Sequence, residues 1–254
     1  MPNDTFQAHL PWVESQSPLP CVDSAWGADS EAPGLLAAGA DLGVDRLLEA
    51  YANGIFPWFN PEQPVLWWSP DPRMVLKIAD FKLHRSLRKT LARYSSHPFF
   101  ELCFDRNFDL VIESCAQSPR EGQSGTWIVP QMVDAYKALH RAGYAHSAET
   151  WLDGKLVAGL YFVCIGQAVF GESMFSSLRD GSKMALAALV NVCKNHHIQA
   201  IDCQQNTAHL ASMGAQEMSR DAFLKWVKPA LHLPSPDWRN IQVDWDVWRT
   251  APNT

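Results

Sequence analysis

The sequence predicts an α+β chain: a small, irregular N-terminal domain, then a larger acetyltransferase-like domain with a mixed, mostly antiparallel sheet flanked by helices. Three observations predict it. Residues up to about 75 are crowded with Gly, Pro and Trp. The stretch "AHSAETWLDGKLVAGLYFVCIGQAVFGESMF" reads as consecutive strands with turns at "DGK" and "IGQ". An apolar helix, "SKMALAALVNVCKNHH", separates these strands from one more, "IQAIDCQ". Three antiparallel strands, a helix and a further strand is the core order of acetyltransferase-like folds, a likeness of fold that fixes no substrate.

The 254 residues suffice for one large domain or two modest ones. A hydrophobic fraction of 47% with 19% charged residues is that of an ordinary globular protein. No apolar run approaches the length of a membrane span. The opening "MPNDTFQAHLPW" has no basic segment followed by an apolar one, so a cytoplasmic protein is expected. None of the six cysteines forms a CxxC pair or precedes a His at zinc-finger spacing. A structural zinc and a disulfide framework are therefore not expected.

"DLGVDRLLEAYANGIF" is predicted to be a helix capped by Asp41, with Leu47, Leu48 and Tyr51 as its apolar stripe and Gly54 as its stop. The prolines of "FPWFNPEQPVLWWSPDPR" exclude long regular structure. The expected division is residues 1–75, a small N-terminal domain; 76–232, the acetyltransferase-like domain; and 233–254, a tail with no assigned role. "KLHRSLRKTLAR" (82–93) reads as a helix with Leu83, Leu87 and Leu91 on one face and Arg85, Arg88, Lys89 and Arg93 on the other. A net charge of −6 argues against nucleic acid for the chain as a whole. Charge runs are usually solvated surface, but a basic face with no acid to balance it also suits phosphates. "SPREGQSGTWI" reads as a loop, and "VPQMVDAYKALHRAGY" as a helix with Met132, Tyr136 and Leu139 on one side, ended by Gly143.

Two polar intrusions into apolar strands carry the chemistry. Glu172 interrupts "QAVFGESMFSS", and Asp202 and Gln204 close "AIDCQ". Buried charge is costly unless paired or used. Alternation puts Asp202 and Gln204 on one face, at a strand end where open α/β sheets place ligand groups. If the two strands are neighbours, three polar side chains converge to hold something cationic. The plainer reading is a structural hydrogen-bond network. Trp58 and Trp127 stand in Gly/Pro-rich loops, where aromatics either pack or stack on a base.

"PGLLAAGADLGVDRLLEAYANGIFPWFNPEQPVLWWSPDPRMVL", "SGTWIV", "AYKALHRAGYAHSAETW", "GESMFS", "SKMAL" and "IDCQQNTAHLASMGA" occur in this order. Together they resemble the signature blocks of the leucyl/phenylalanyl-tRNA–protein transferases, from about residue 33 to about residue 226. The resemblance implies transfer of Leu or Phe from aminoacyl-tRNA to the α-amino group of proteins beginning with Arg or Lys, which marks them for N-end rule degradation. It implies no metal and no coenzyme, and a monomer is expected. It also implies that Asp202 and Gln204 serve the chemistry, with Glu172 lining the same site. Tyr51 counts among the substrate-binding residues, Trp58 and Trp127 lie around the terminal adenosine, and Leu160, Val169, Met174 and Leu189 line the pocket for the transferred side chain. Arg85, Arg88, Lys89 and Arg93 would meet the tRNA stem. In this chain Ser177 replaces the usual Arg after "MFS", and Val169 stands where a larger aromatic can occur.

On these residues Asp202 is expected to hold the acceptor ammonium and take its proton, while Gln204 orients the amine. An acyl-CoA-dependent acetyltransferase would need a glycine-rich pyrophosphate turn, and "SSLRDGSKMAL" does not supply one. A non-catalytic RNA-binding protein would account for Arg85 to Arg93 but not for Glu172, Asp202 and Gln204.

Overall fold

Two sheets organise the chain in the computed structural model, which describes residues 10–118 and 128–244. The first is small. β1 (Trp12–Val13) pairs in parallel with β2 (Leu35–Gly39), and β2 pairs antiparallel with β4 (Leu66–Trp68), which pairs with β3 (Phe56–Pro57). Between β2 and β3 lies α1 (Val44–Ala52). It buries Leu47 and Tyr51 completely and Leu48 in part. Asp41 is not its cap. Its Oδ1 accepts the amide of Gly43 at 2.8 Å, and Gly43 takes the N-cap position with no side-chain bond. The helix ends as expected, with Gly54 at φ +72° just past the C-cap, a conformation that suits glycine.

The chain leaves this sheet after Trp68 and enters the second at β5 (Arg73–Lys77). Next come α2 (Arg85–Tyr94), β6 (Phe100–Phe104), α3 (Phe108–Gln117) and α4 (Pro130–Arg141). Leu87 and Leu91 of α2 are buried, whereas Leu83 lies ahead of the helix, before its N-cap His84. α4 begins on Pro130, whose missing N–H costs nothing at a first turn, and buries Met132, Tyr136 and Leu139. The loop expected at 118–128 lies almost wholly outside the described residues.

β7 (Ala145–Leu152), β8 (Lys155–Ile165) and β9 (Ala168–Ser176) form the antiparallel run. The turn at Asp153 and Gly154 has positive φ at both residues, as in the type I′ turns that match strand twist. α5 (Gly181–Asn195), β10 (Ala200–Gln204), α6 (Ala208–Ser212), β11 (Gln216–Met218) and α7 (Arg220–Ala230) complete the order. The large sheet runs β11-β5-β10-β9-β8-β7-β6, and every neighbouring pair is antiparallel except β9 with β10. This is the mixed, mostly antiparallel sheet that the pattern predicts.

One face of the large sheet shares a continuous core with the small sheet, α1, α3, α4 and α7; the other packs under α2 and α5. Trp238, in the segment expected to be a tail, is buried against Phe104, His146 and Phe162. Among the described residues no helix is long and apolar enough to cross a membrane.

Candidate active site

The parallel pair in the sheet is also its shortest seam. β9 and β10 align only at Val169 with Ile201 and at Phe170 with Asp202. Beyond those pairs both strands carry irregularities. In β9, Tyr161 of β8 faces Ser173 and Phe162 faces Gly171, so Glu172 is the extra residue of a bulge. In β10, Asp202 faces Val75 and Gln204 faces Met74 of β5, so Cys203 is extra. Bulges redirect side chains, and here both turn polar groups toward the seam.

Gln204 sits at φ +60°, a left-handed conformation uncommon for a residue with a side chain. Its amide donates to Asp202 Oδ1 at 2.8 Å, which fixes that turn, and its Nε2 donates to Glu172 Oε1 at 2.8 Å. Tyr51 from α1 donates to Glu172 Oε1 at 2.6 Å, and Tyr136 from α4 donates to Oε2 at 3.1 Å. The two tyrosine hydroxyls also touch each other, and with one proton apiece they share these three bonds with the proton that Glu172 itself carries below about pH 8. Three side chains from separate elements thus converge on the carboxyl group of β9.

Burial pushes Glu172 up to about 8. The tyrosine and Gln204 hydrogen bonds pull against that rise, and the charge of Asp202 adds to it. Tyr51 and Tyr136 are raised well above the ordinary phenol range, first by burial and then by the neighbouring carboxylate.

Asp202 is placed differently from its expected role. It is fully buried and bound at both oxygens by Arg73, with Nε at 2.9 Å from Oδ1 and Nη2 at 2.6 Å from Oδ2. Arg73 Nη1 donates to the carbonyl of Gly54 at 3.2 Å, and its guanidinium lies 4.7 Å from the ring centres of both Phe56 and Phe223. A carboxylate so paired has no room for an acceptor ammonium. The cation that Asp202 holds in this structure is Arg73, which supports a positioning role for it.

Next to Glu172 the parted strands leave a cavity of about 70 Å³, bordered by Leu160, Met174, Leu189, Ile201, Cys203 and Leu210. Leu160, Met174 and Leu189 are among the residues that the resemblance assigns to the transferred side chain. Val169, the fourth of that set, is fully buried, paired with Ile201 and Cys164, and packs in the core under α5. Trp58 is half-buried, edge-on to Trp68 at 5.3 Å, and has no bond to Glu172 or Gln204. Trp127 lies outside the described residues. On α2, Arg85, Lys89 and Arg93 are exposed and Arg88 is partly covered. One group among the described residues has the spacing of a metal site, Asp105 with His140 and His146. There His146 bonds Asp105 and His140 bonds the Ala145 carbonyl, apart from the Glu172 network.

Two residues of this network carry no functional mark in the sequence pattern. Spacing shows Tyr136 only as part of an apolar helix stripe, and Arg73 only as the end of a proline-rich loop. Their signals are a hydroxyl in a buried stripe and a cation leading the run "RMVL", which a buried strand tolerates only beside an acid.

The family follows from comparison. Residues 75–228 match the family model described as leucyl/phenylalanyl-tRNA protein transferase, and residues 40–71 match that of its N-terminal domain. The leucyl/phenylalanyl-tRNA–protein transferase of Polaromonas sp. is 56% identical over 242 residues, 95% of each chain. The chain belongs to the leucyl/phenylalanyl-tRNA–protein transferase family. The protein of that name from Albidiferax ferrireducens is 54% identical over 229 residues, 90% of each chain. Among solved structures, L-PGS from Bacillus licheniformis is 12% identical with a TM-score of 0.36, covering 65% of this chain and 51% of its own. A likeness so slight carries no argument.

The two carboxyl groups give separate stability tests. Asp202→Asn leaves the buried Arg73 without its counter-charge, so unfolding in denaturant should show a loss of about 3–5 kcal/mol, the usual effect of breaking a buried pair. Glu172 gives a pH dependence. Below its unfolded value of 4.5 both states hold the proton; between 4.5 and about 8 only the folded state does. Its contribution to stability is therefore lost as pH rises through that window. The melting temperature of the wild type should fall relative to that of Glu172→Gln between about pH 5 and 8, and parallel curves would contradict the shift.

Proposed function

We propose that the chain transfers a leucyl or phenylalanyl group from charged tRNA to the α-amino group of proteins that begin with Arg or Lys, marking them for N-end rule degradation, and that it works as a monomer in the cytoplasm. The observation that supports this most directly is the Glu172 carboxyl, held by two tyrosines and Gln204 at the edge of a small apolar cavity. An acceptor α-amino group has a pKa of about 7.7–8.0. A carboxyl at about 8 exchanges a proton with it at almost no cost, the matching that favours acid–base work near neutrality.

In this reading Glu172 accepts the proton as the amine lone pair attacks the ester carbonyl. The tetrahedral centre then expels the ribose oxygen, and the proton returns to that oxygen as the hydroxyl leaves. Tyr51 and Tyr136 hold the carboxyl and offer a hydroxyl path for the proton. Gln204 orients the amine. Asp202 serves through Gln204, as a positioning residue. Leu160, Met174 and Leu189 receive the side chain being transferred, and Trp58 and Trp127 the terminal adenosine. The basic face of α2, with Arg85, Arg88, Lys89 and Arg93, meets tRNA phosphates.

The test supplies labelled leucyl-tRNA, or labelled acetyl-CoA, with a peptide beginning in Arg. Label should pass from tRNA and not from acetyl-CoA. Glu172→Gln should slow transfer by about 10²–10⁴-fold, the range for removing a proton-handling group. Transfer at the wild-type rate would remove Glu172 from that role.

A further inference from the structure

A second and wider cavity lies away from the one beside Glu172. It is a groove of about 1110 Å³ at the opposite end of β10, between α2, the last turns of α5 and the start of α7. Phe81 and Trp226 give it apolar walls, and Lys77, Arg88, Lys194 and His197 bring positive or chargeable groups from separate parts of the fold. No acid lines it among the described residues, although the chain as a whole carries a net charge of −6. Lys77 and Lys194 are exposed and form no ion pair among the described residues. The C-terminal dipole of α5 accounts for Lys194 and His197. It does not account for Lys77 at the end of β5.

Asn191 is the second, independent observation. It borders the groove from α5 and is 4% exposed, yet neither its amide nitrogen nor its oxygen has a partner among the described residues. A buried amide left unpaired is a standing cost, and an apolar residue of like shape would avoid it. Such an amide can pair with a base edge, which offers a donor and an acceptor together. Through Arg88 the groove is continuous with the basic face of α2.

We propose that this groove holds a nucleotide of the tRNA body, away from the aminoacyl end. Lys77 and Lys194 pair with flanking phosphates, the Asn191 amide turns out of its buried position to meet the base edge, and Phe81 and Trp226 cover the base face. The proposal rests on the reading of the chain as a tRNA-dependent transferase. Apolar walls beside cations suit a nucleotide better than a bare polyphosphate, because a base needs a surface to stack on.

The test uses the full chain and leucyl-tRNA, with affinity measured against salt. Replacing Lys77 and Lys194 together with Ala should flatten the log–log slope by about 0.7–0.9 for each phosphate no longer neutralised. It should also raise KM for charged tRNA relative to KM for an aminoacyl-adenosine analogue. An Arg85→Ala, Lys89→Ala variant reports on α2 separately: an unchanged slope there, with a flattened slope in the groove variant, would sink the α2 reading and leave the groove standing. Asn191→Leu should fold and melt no lower than the wild type while binding tRNA several-fold more weakly. An unchanged slope in the groove variant, or full tRNA affinity in Asn191→Leu, would overturn the proposal. A rise in KM for the acceptor peptide instead of tRNA would overturn it too, by making the groove a protein-docking surface.

Discussion

The bidentate pair between Arg73 and Asp202 is the interaction on which the site depends. It joins β5 to β10 at the point where β10 bulges. One carboxylate oxygen does two things there: it accepts Arg73 Nε and also the amide of Gln204. That second bond holds Gln204 in a left-handed conformation that a residue with a side chain seldom adopts unsupported. The direction of the Gln204 side chain, and with it one of the bonds on Glu172, follows from a charge pair anchored one strand away.

The same guanidinium ties the small sheet to the large one. Phe56 comes from β3 and the Gly54 carbonyl from just past the end of α1, while Phe223 comes from α7. Desolvating Arg73 is costly, and the two ring faces together with its hydrogen bonds to Asp202 and Gly54 offset that cost. Tyr51 reaches Glu172 from α1, so the N-terminal elements both brace Arg73 and bond to the site. A loose joint between the sheets would disturb both carboxylates together.

The strand order, the α5 helix and the polar intrusions are legible in the sequence because each leaves a periodic or anomalous mark. Alternation and Gly-containing turns mark β7, β8 and β9, and Glu172, Asp202 and Gln204 stand out as acids and an amide in apolar runs. The bulges leave no such mark. Without the register of β8 against β9, Glu172 reads as one more alternating residue, and without that of β5 against β10 the turn at Gln204 is invisible. The role of Asp202 is hidden for the same reason: its partner Arg73 is 129 positions away, and pairing at that range follows from the sheet order, not from spacing.

Arg73 is held here to act through geometry and not through charge alone. Arg73→Lys keeps the charge but removes the fork that grips both oxygens of Asp202. The measurement is kcat and KM for charged tRNA in this variant, with folding verified by circular dichroism. If Arg73 positions Gln204, kcat should fall about 10²-fold, the scale of a displaced catalytic group, while KM for tRNA stays near the wild-type value. A folded Arg73→Lys enzyme with wild-type kcat would contradict the account.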